Sequence, residues 1–394
     1  MAKSVHTKRR ICVVTTNRAD YMKLRSVLRV LQKDPAVDLV TIVAGSHLLR
    51  NYDNTIEFIR KDGFSVDYTA YIEIDGRVPV TMAKSTGLSV NEFATAFHNL
   101  KPDIVLIHGD RYEALAAAIA ASLMNIFTAH IEGGEVSGTI DEHIRHAITK
   151  LSHLHFVTTK DARGIVIQLG EHPRMVRRVG CPGIDTLLAT QRLPLHAIEK
   201  RVNERYIKWG SKLSLRKGFI LCVQHPVTTE FSAAAAQTSH TLYALKKMKL
   251  PVVMLWPNID AGADYISQTI RLFQGKPEHD FIHVFRNFPP ELFLNLLRHA
   301  SVLVGNSSAG IREASYFGTP VVDIGTRQKG RKRGRNVVSV AHDRTAIARA
   351  IQQQLTHGKY PAEYLYGRGG AGRKIADILK TVRISSIQKQ MVHL

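Results

Sequence analysis

The sequence predicts an α/β protein of two doubly wound parallel sheets, with its working site in the cleft between two domains. Three observations carry that expectation. Short apolar, β-branched runs alternate with amphipathic helical stretches through both halves of the 394-residue chain. Such alternation implies parallel βαβ units with right-handed crossovers. The alternation breaks near 182–217, where the chain reads as helical and polar and lacks a clear buried strand. Polar clusters directly follow the apolar runs, and open α/β sheets bind ligands outside the carboxyl ends of their strands.

In order, the first half opens with the strand "RICVVTT". After "NRAD", Tyr21, Leu24, Leu28 and Leu31 recur on one helical face. "VDLVTIVAGSH" is a second strand and loop, followed by a helix near 51–61 and the strand "VDYTAYIEI". A helical stretch ends before "KPD"; then come the strand "DIVLIHGD", the Ala-rich helix "RYEALAAAIAASLMN" and the strand "IFTAHIEGG". Past the break the strands are "FILCVQHP", "PVVMLWPN", "FIHV", "SVLVGNSS", "PVVDIG" and "NVVSV", with helices between most of them and a helix from about 342. These units divide the chain into Rossmann-like domains at 1–185 and 218–372, a linker at 186–217, and C-terminal helix at 373–394 that packs back on the first domain.

Hydrophobic content of 44% and charged content of 22% suit a soluble globular chain. No apolar run approaches the ~20 residues of a membrane helix. "ICVVTT", after the basic N-terminus, is too short for a signal-peptide core, so a cytoplasmic protein is expected. Cys12, Cys181 and Cys222 form no C-x-x-C pair, which argues against disulfides and structural zinc. The net charge of +21 suits an anionic ligand, nucleic acid or an anionic surface. The densest basic run, "KGRKRGR" at 329–335, has no aromatic residue for base stacking and no DNA-binding spacing beside it. It reads as a solvated or anion-facing loop, and a nucleic-acid partner is not expected.

Candidate chemistry gathers at the strand ends. "GNSSAG" leads from a strand into a helix, so Ser307, Ser308 and nearby N–H groups suit a phosphate, although Ser is also an ordinary N-cap. Arg312 and Glu313 are expected on the first turn of that same helix. Glu313 fits a ribose diol, because it would repel a phosphate. Arg327 in "GTRQ" and Arg18 in "NRAD" are guanidinium partners for a diphosphate. No Walker or G-x-G-x-x-G pattern follows a strand. The first half offers Asp110 in "HGDR", Glu132 in "HIEGGE" and Asp141 in "SGTIDEHIRH" as acid–base groups. Thr139 with Glu142 forms a capping box. Clustered carboxylates split their proton affinities, and His225 in "QHP" titrates near neutrality when unperturbed. His143, His146, His130, Glu135 and His153 are candidate metal ligands by type and proximity, but no H-E-x-x-H occurs and no metal is expected.

The segments "NRADY", "GSHL", "HGDR.EALA", "HIEGGEVSGTIDE.IRHAITKL.H", "GCP..D", "QHPVTT", "PNIDAG" and "GNSS.GIRE...FGTPVV..GTRQ.GR" occur in that order. Together they resemble the hydrolysing UDP-N-acetylglucosamine 2-epimerases of sialic-acid synthesis, including the epimerase half of the animal epimerase/kinase without its kinase. The likeness spans residues 9–380. It implies a glycosyltransferase-B-like fold and conversion of UDP-N-acetylglucosamine and water to N-acetylmannosamine and UDP through 2-acetamidoglucal, with no cofactor or metal. Carried onto matching positions, it implies acid–base roles for Asp110, Glu132 and Asp141, with His225 beside the leaving diphosphate. Arg18, Ser307, Ser308 and Arg327 would hold the diphosphate and Glu313 the ribose. Lys23, His47, Arg111, Asn258 and Gly310 complete the implied substrate-binding set. A homodimer or homotetramer is implied as well.

Two departures stand out. Gln268 occupies a position where the animal enzymes carry an arginine for CMP-sialic acid, which leaves feedback inhibition open, and Met22 replaces a small hydroxyl residue. Two other readings stay open: a related hydrolysing epimerase on a UDP-2,4-diacetamido-trideoxy sugar of legionaminic-acid synthesis, and a non-catalytic anion- or nucleic-acid-binding relative.

Overall fold

Two parallel sheets, each covered by helices on both faces, account for the apolar runs. The computed structural model describes residues 8–50, 54–208, 210–384 and 386–392. The first sheet contains β1 (Arg9–Thr15), β2 (Val37–Ala44), β3 (Tyr68–Ala70), β4 (Ile104–His108), β5 (Phe127–Ile131), β6 (Leu154–Val157) and β7 (Val176–Arg178), in the order β3-β2-β1-β4-β5-β6-β7. The second contains β8 (Ile220–Val223), β9 (Val252–Leu255), β10 (Ile282–Phe285), β11 (Val302–Gly305), β12 (Val321–Ile324) and β13 (Val337–Val340), in the order β10-β9-β8-β11-β12-β13. Neighbouring strands run parallel in both sheets.

Strand β1 shows why these runs read as continuously apolar. Ile11 and Val13 pack with Tyr21, Leu24 and Leu28 on one face. Cys12 and Val14 pack with Phe93, Phe97 and Ala117 on the other. A strand buried on both faces needs no polar alternation. Among the described residues no helix is long and apolar enough to cross a membrane.

Several local expectations change. "VDYTAYIEI" yields only the three-residue β3, because Tyr71 swings out to 71% exposure. The helix expected near 51–61 runs Ile56–Lys61, and 51–53 lie outside the described residues. Strands β6 and β7 escaped the sequence reading; in β7 Val176 is buried and the two residues after it, Arg177 and Arg178, are exposed. The stretch near 182–217 is no bare tether. Its helices Pro182–Ala189 and Leu195–Arg205 send Ile184, Leu187, Ile198 and Val202 into the core beneath β8 and β11. The C-terminal helix Ala371–Thr381 buries Ile375, Ala376 and Leu379 in the first-lobe core. Residues 386–392 are not helical; Lys389 Nζ there pairs with Glu171 at 2.9 Å.

Candidate active site

Each sheet reverses its strand order next to its first strand: β1 lies between β2 and β4, and β8 between β9 and β11. Loops leaving the carboxyl ends of these strands diverge and open a crevice. The two crevices face one another, and one cleft is lined from both lobes.

The first-lobe wall is acidic. Glu132, just past β5, has a left-handed backbone (φ 70°), an uncommon strain for a residue with a Cβ. The turn behind it needs Gly134, whose Cβ would lie 2.2 Å from Ala162 O. Lys23 Nζ lies 2.8 Å and His108 Nε2 3.2 Å from Glu132 Oε2, Arg312 pairs with the same oxygen, and Cys181 Sγ donates to Oε1 at 3.1 Å. Burial works to raise its proton affinity, but Arg312, Lys23 and His108 together hold the carboxyl well below the usual range. His108 also meets Asp20 Oδ1 at 3.2 Å, so it bridges Asp20 and Glu132. Burial opposes its charge, yet Glu132 and Asp20 raise its pKa. Asp20 is fixed in turn by the Thr16 hydroxyl and Asn17 amide, each donating at 2.7 Å.

Asp110 and Asp141 diverge. Asp110 is gripped by Arg145, and Arg331 lies 3.9 Å away; against burial these cations keep Asp110 far below the ordinary carboxylate pKa. Arg327 lies 3.6 Å from Asp141, and Arg111 acts on it from farther away. Burial, then the Asp110 charge, push the Asp141 pKa up. Asp141 lies on the first turn of the helix Ile140–Leu151, which is capped as the sequence suggested, with a shift: Thr139 Oγ1 accepts from Asp141 N, while Glu142 accepts from Ser137 N at 2.6 Å rather than from the cap residue.

The second-lobe wall is cationic and hydroxylic. Gly305 (φ 132°) ends β11; its Cβ would fall 2.1 Å from Val223 O, so only glycine permits the turn into Asn306–Ser308. The single helix expected after it is broken. Ser308–Ile311 and Glu313–Phe317 are separate short segments meeting at Arg312 (φ −97°, ψ −68°). A four-residue segment has little macrodipole, so an anion there would rest on Ser307, Ser308 and nearby guanidinium groups. Burial raises the pKa of Glu313 at the cleft edge, with Lys23 and Arg312 opposing. His225 differs from the near-neutral titration expected. Burial, then Arg327, Arg18 and Arg111, hold its imidazole neutral. Its Nδ1 accepts from Asn258 N at 3.2 Å, so the ring proton sits on Nε2 as a donor.

Asp110, Glu132, Asp141, His225, Arg18, Lys23, Arg111, Asn258, Ser307, Ser308, Glu313 and Arg327 all line this cleft. Within it Arg111 is engaged by Glu113 at 3.1 Å and Asp260 at 2.6 Å. Two expected residues do not line it. His47 is fully buried, its ring nitrogens hydrogen-bonded to Thr15 and Thr55, and burial lowers its pKa to about 4. Gly310 packs its helical turn on the sheet: a Cβ there would meet Leu303 Cδ2 at 2.7 Å and Val321 Cγ1 at 3.0 Å. His130, one of the candidate metal ligands, is hydrogen-bonded to Gly109 O at 2.7 Å.

The sequence reading missed Asp20 and His108 as site groups, and Arg145 and Arg331 as the counter-charges of Asp110 and Glu135. All stand inside or beside motifs already quoted, but their pairings are long-range. The basic run 329–335 is divided by packing. Arg331 is buried and lines the cleft, Arg333 pairs with Asp323 at 3.0 Å, and Lys332 stays exposed beside Asp161.

The fold and site define a glycosyltransferase-B-like α/β protein whose two lobes enclose one charged cleft. Residues 29–380 match the family described as UDP-N-acetylglucosamine 2-epimerase, and the chain belongs to it. A Neisseria meningitidis serogroup B protein named UDP-N-acetylglucosamine 2-epimerase is 33% identical over 361 residues, covering 92% of this chain and 91% of its own length. A Legionella pneumophila protein named UDP-N,N'-diacetylbacillosamine 2-epimerase (hydrolyzing) is 34% identical over 378 residues, covering 96% and 97%. The crystal structure of a Neisseria meningitidis UDP-GlcNAc 2-epimerase bound to UDP-GlcNAc shares the fold, with a TM-score of 0.76 at 19% identity, covering 94% of this chain and 99% of that one.

Proposed function

We propose that the protein is a hydrolysing 2-epimerase that converts UDP-N-acetylglucosamine and water to N-acetylmannosamine and UDP. One observation carries the reading. Carboxylates able to move a proton and groups able to hold a diphosphate meet across a single cleft, with Arg327 only 3.6 Å from Asp141. In this reading Arg18, Ser307, Ser308 and Arg327 take the diphosphate and Glu313 the ribose. A carboxylate removes the C2 proton, and the C1–O bond breaks with its electrons passing to the diphosphate. The neutral His225 donates a hydrogen bond from Nε2 toward that leaving oxygen. Water then adds its oxygen to C1 of the glucal, and a proton returns to C2 from the opposite face.

The contrast between Asp110 and Asp141 supports a division of labour. A general base works best with a pKa lifted toward the working pH. Asp141 is lifted by burial and by Asp110, whereas Asp110 is held ionised. That suits Asp141 to proton transfer and Asp110 to holding negative charge in place. A homodimer or homotetramer belongs to the same reading, and light scattering of the purified chain tests it.

A second reading has its own support. The Legionella relative named for UDP-N,N'-diacetylbacillosamine is as similar as the Neisseria one, at 34% against 33% identity. Incubating the protein with each UDP-sugar in deuterated water, followed by NMR, separates them. The expected result is UDP release and free N-acetylmannosamine deuterated at C2. Unlabelled product refutes the elimination route, and faster turnover of the diacetamido sugar moves the assignment to it.

A further inference from the structure

This inference deepens the proposed function and rests on it. Arg312 belongs to the second lobe, yet its guanidinium is spent on two first-lobe carboxylates: one nitrogen pairs with Glu132 and another with Glu135. It is 3% exposed, with Cys181 Sγ 3.7 Å from Nη1 and the Tyr366 ring centroid 5.3 Å from its central carbon. A buried charge this committed has a mechanical consequence. Parting the lobes would strip it of both carboxylates at once.

The lobes must part for substrate to enter. The cleft as it stands holds a cavity of about 220 Å³. That is below the roughly 300–1,000 Å³ of ordinary ligand pockets. Arg312 also lies in the same broken turn as Ser307, Ser308 and Glu313, the residues proposed to hold the nucleotide. Whatever draws that turn toward the first lobe therefore delivers the guanidinium to Glu132.

Glu132 is touched from the first lobe by Lys23 at 2.8 Å and His108 at 3.2 Å, from the seam by the Cys181 thiol at 3.1 Å, and by Arg312. Glu135 and Glu313 add negative charge nearby, and Glu135 is itself met by Arg331 at 3.5 Å and by the Thr158 hydroxyl at 2.8 Å. Among the described residues, Arg312 is the only charged group of the second lobe in direct contact with Glu132.

We infer that Arg312 is a positioning residue that carries lobe closure to Glu132. Closing seats the guanidinium and fixes Glu132 as an ionised, aimed carboxylate; opening frees Glu132 to take a proton from solvent. Nucleotide binding and readiness of the acid–base wall are thereby one event.

The test measures kcat and KM against pH for UDP release by the full chain as wild type, Arg312→Gln and Arg312→Lys. Removing one of the cations around a carboxylate raises its pKa by about one unit or more. In Arg312→Gln the buried Glu132 loses that counter-charge and takes a proton along with Asp141, so the acid limb of kcat moves up and steepens, and kcat falls about tenfold or more while KM changes less than about threefold. Arg312→Lys keeps the charge but reaches only one of the two carboxylates; its limb stays at the wild-type position while kcat remains reduced by about threefold or more. An Arg312→Gln limb that coincides with wild type overturns the inference, whatever its kcat. If Arg312→Gln does not fold, Arg312→Lys decides alone: undiminished kcat, or a displaced limb, overturns it. A wild type that turns over neither UDP-sugar overturns the proposed function and this inference with it. An active wild type with an unmoved Arg312→Gln limb overturns this inference only.

Discussion

The two walls of the cleft are built by different rules. The first-lobe wall places carboxylates on rigid strand ends: Asp110 after β4 and Glu132 after β5, each tied to cations of its own lobe, Arg145 and Lys23. The second-lobe wall places Ser307, Ser308, Arg312 and Glu313 on a turn broken at Arg312. Sheet geometry alone fixes where the acids sit. Their protonation is settled partly by the other wall, because Arg312, Arg327 and Arg331 come within salt-bridge range of Glu132, Glu135, Asp141 and Asp110. The lesson is that a rigid wall can hold several carboxylates close together only while an opposing wall supplies the counter-charge.

The largest expected effect breaks the acidic wall. Asp110→Asn, which removes the fixed charge that lifts the Asp141 pKa and leaves the buried Arg145 without that partner, should cut UDP release by at least about a hundredfold, while UDP affinity stays within about threefold. Unchanged turnover in that variant removes Asp110 from the chemistry.

Next comes pH, which reads the groups beneath the walls. His47 is held at about 4 by burial, against roughly 6.5 in an unfolded chain. The unfolded state binds more protons, so this contribution is complete above about pH 6.5 and is lost as pH falls toward 4, about 3 kcal/mol in all. His130, lowered to about 3 by burial, acts in the same direction. His108, raised through Glu132 and Asp20, acts in the opposite sense: its contribution is present below about 6.5 and fades as pH climbs through its raised value. Melting temperatures measured across this range should drop on acidification, and less steeply in His47→Gln. Equal slopes for the two proteins would contradict the buried neutral ring.

Gly310→Ala sharpens the second wall. The new methyl collides with Leu303 and Val321, so unfolding free energy should fall by about 1–3 kcal/mol, the cost of overpacking. Denaturant titration reads this; a stable variant with a raised KM for the UDP-sugar would return Gly310 to the ligand site. The smallest effect is at the rim, where Arg77 of the first lobe meets the half-exposed Asp264 of the second. Arg77→Ala should change stability by less than about 1 kcal/mol, with any rate change vanishing at high salt. A tenfold loss of kcat at high salt would make that pair part of the closure.

Much of the site was legible because its parts are local. "HGDR" and "HIEGGE" are strand ends, and open α/β sheets bind ligands outside the carboxyl ends of their strands. "GNSS" was legible for the same reason. The placements that were not legible have long-range causes. His47 follows a strand as its neighbours do, but Tyr21, Thr15 and Thr55 enclose it. Gly310 sits within a phosphate-like motif, but sheet contact determines its role. The basic run at 329–335 looks uniform, and packing buries Arg331 while leaving Lys332 in solvent.

By itself the sequence determined the βαβ rhythm, the two sheets and which residues leave the strand ends, since these follow from periodicity and turn chemistry over a few residues. The tertiary structure decided which of those residues share a cleft, which are charged, and which are sealed beneath it. Burial and counter-charge set a proton affinity, and both come from residues far apart in the chain, as Arg312 and Glu132 are.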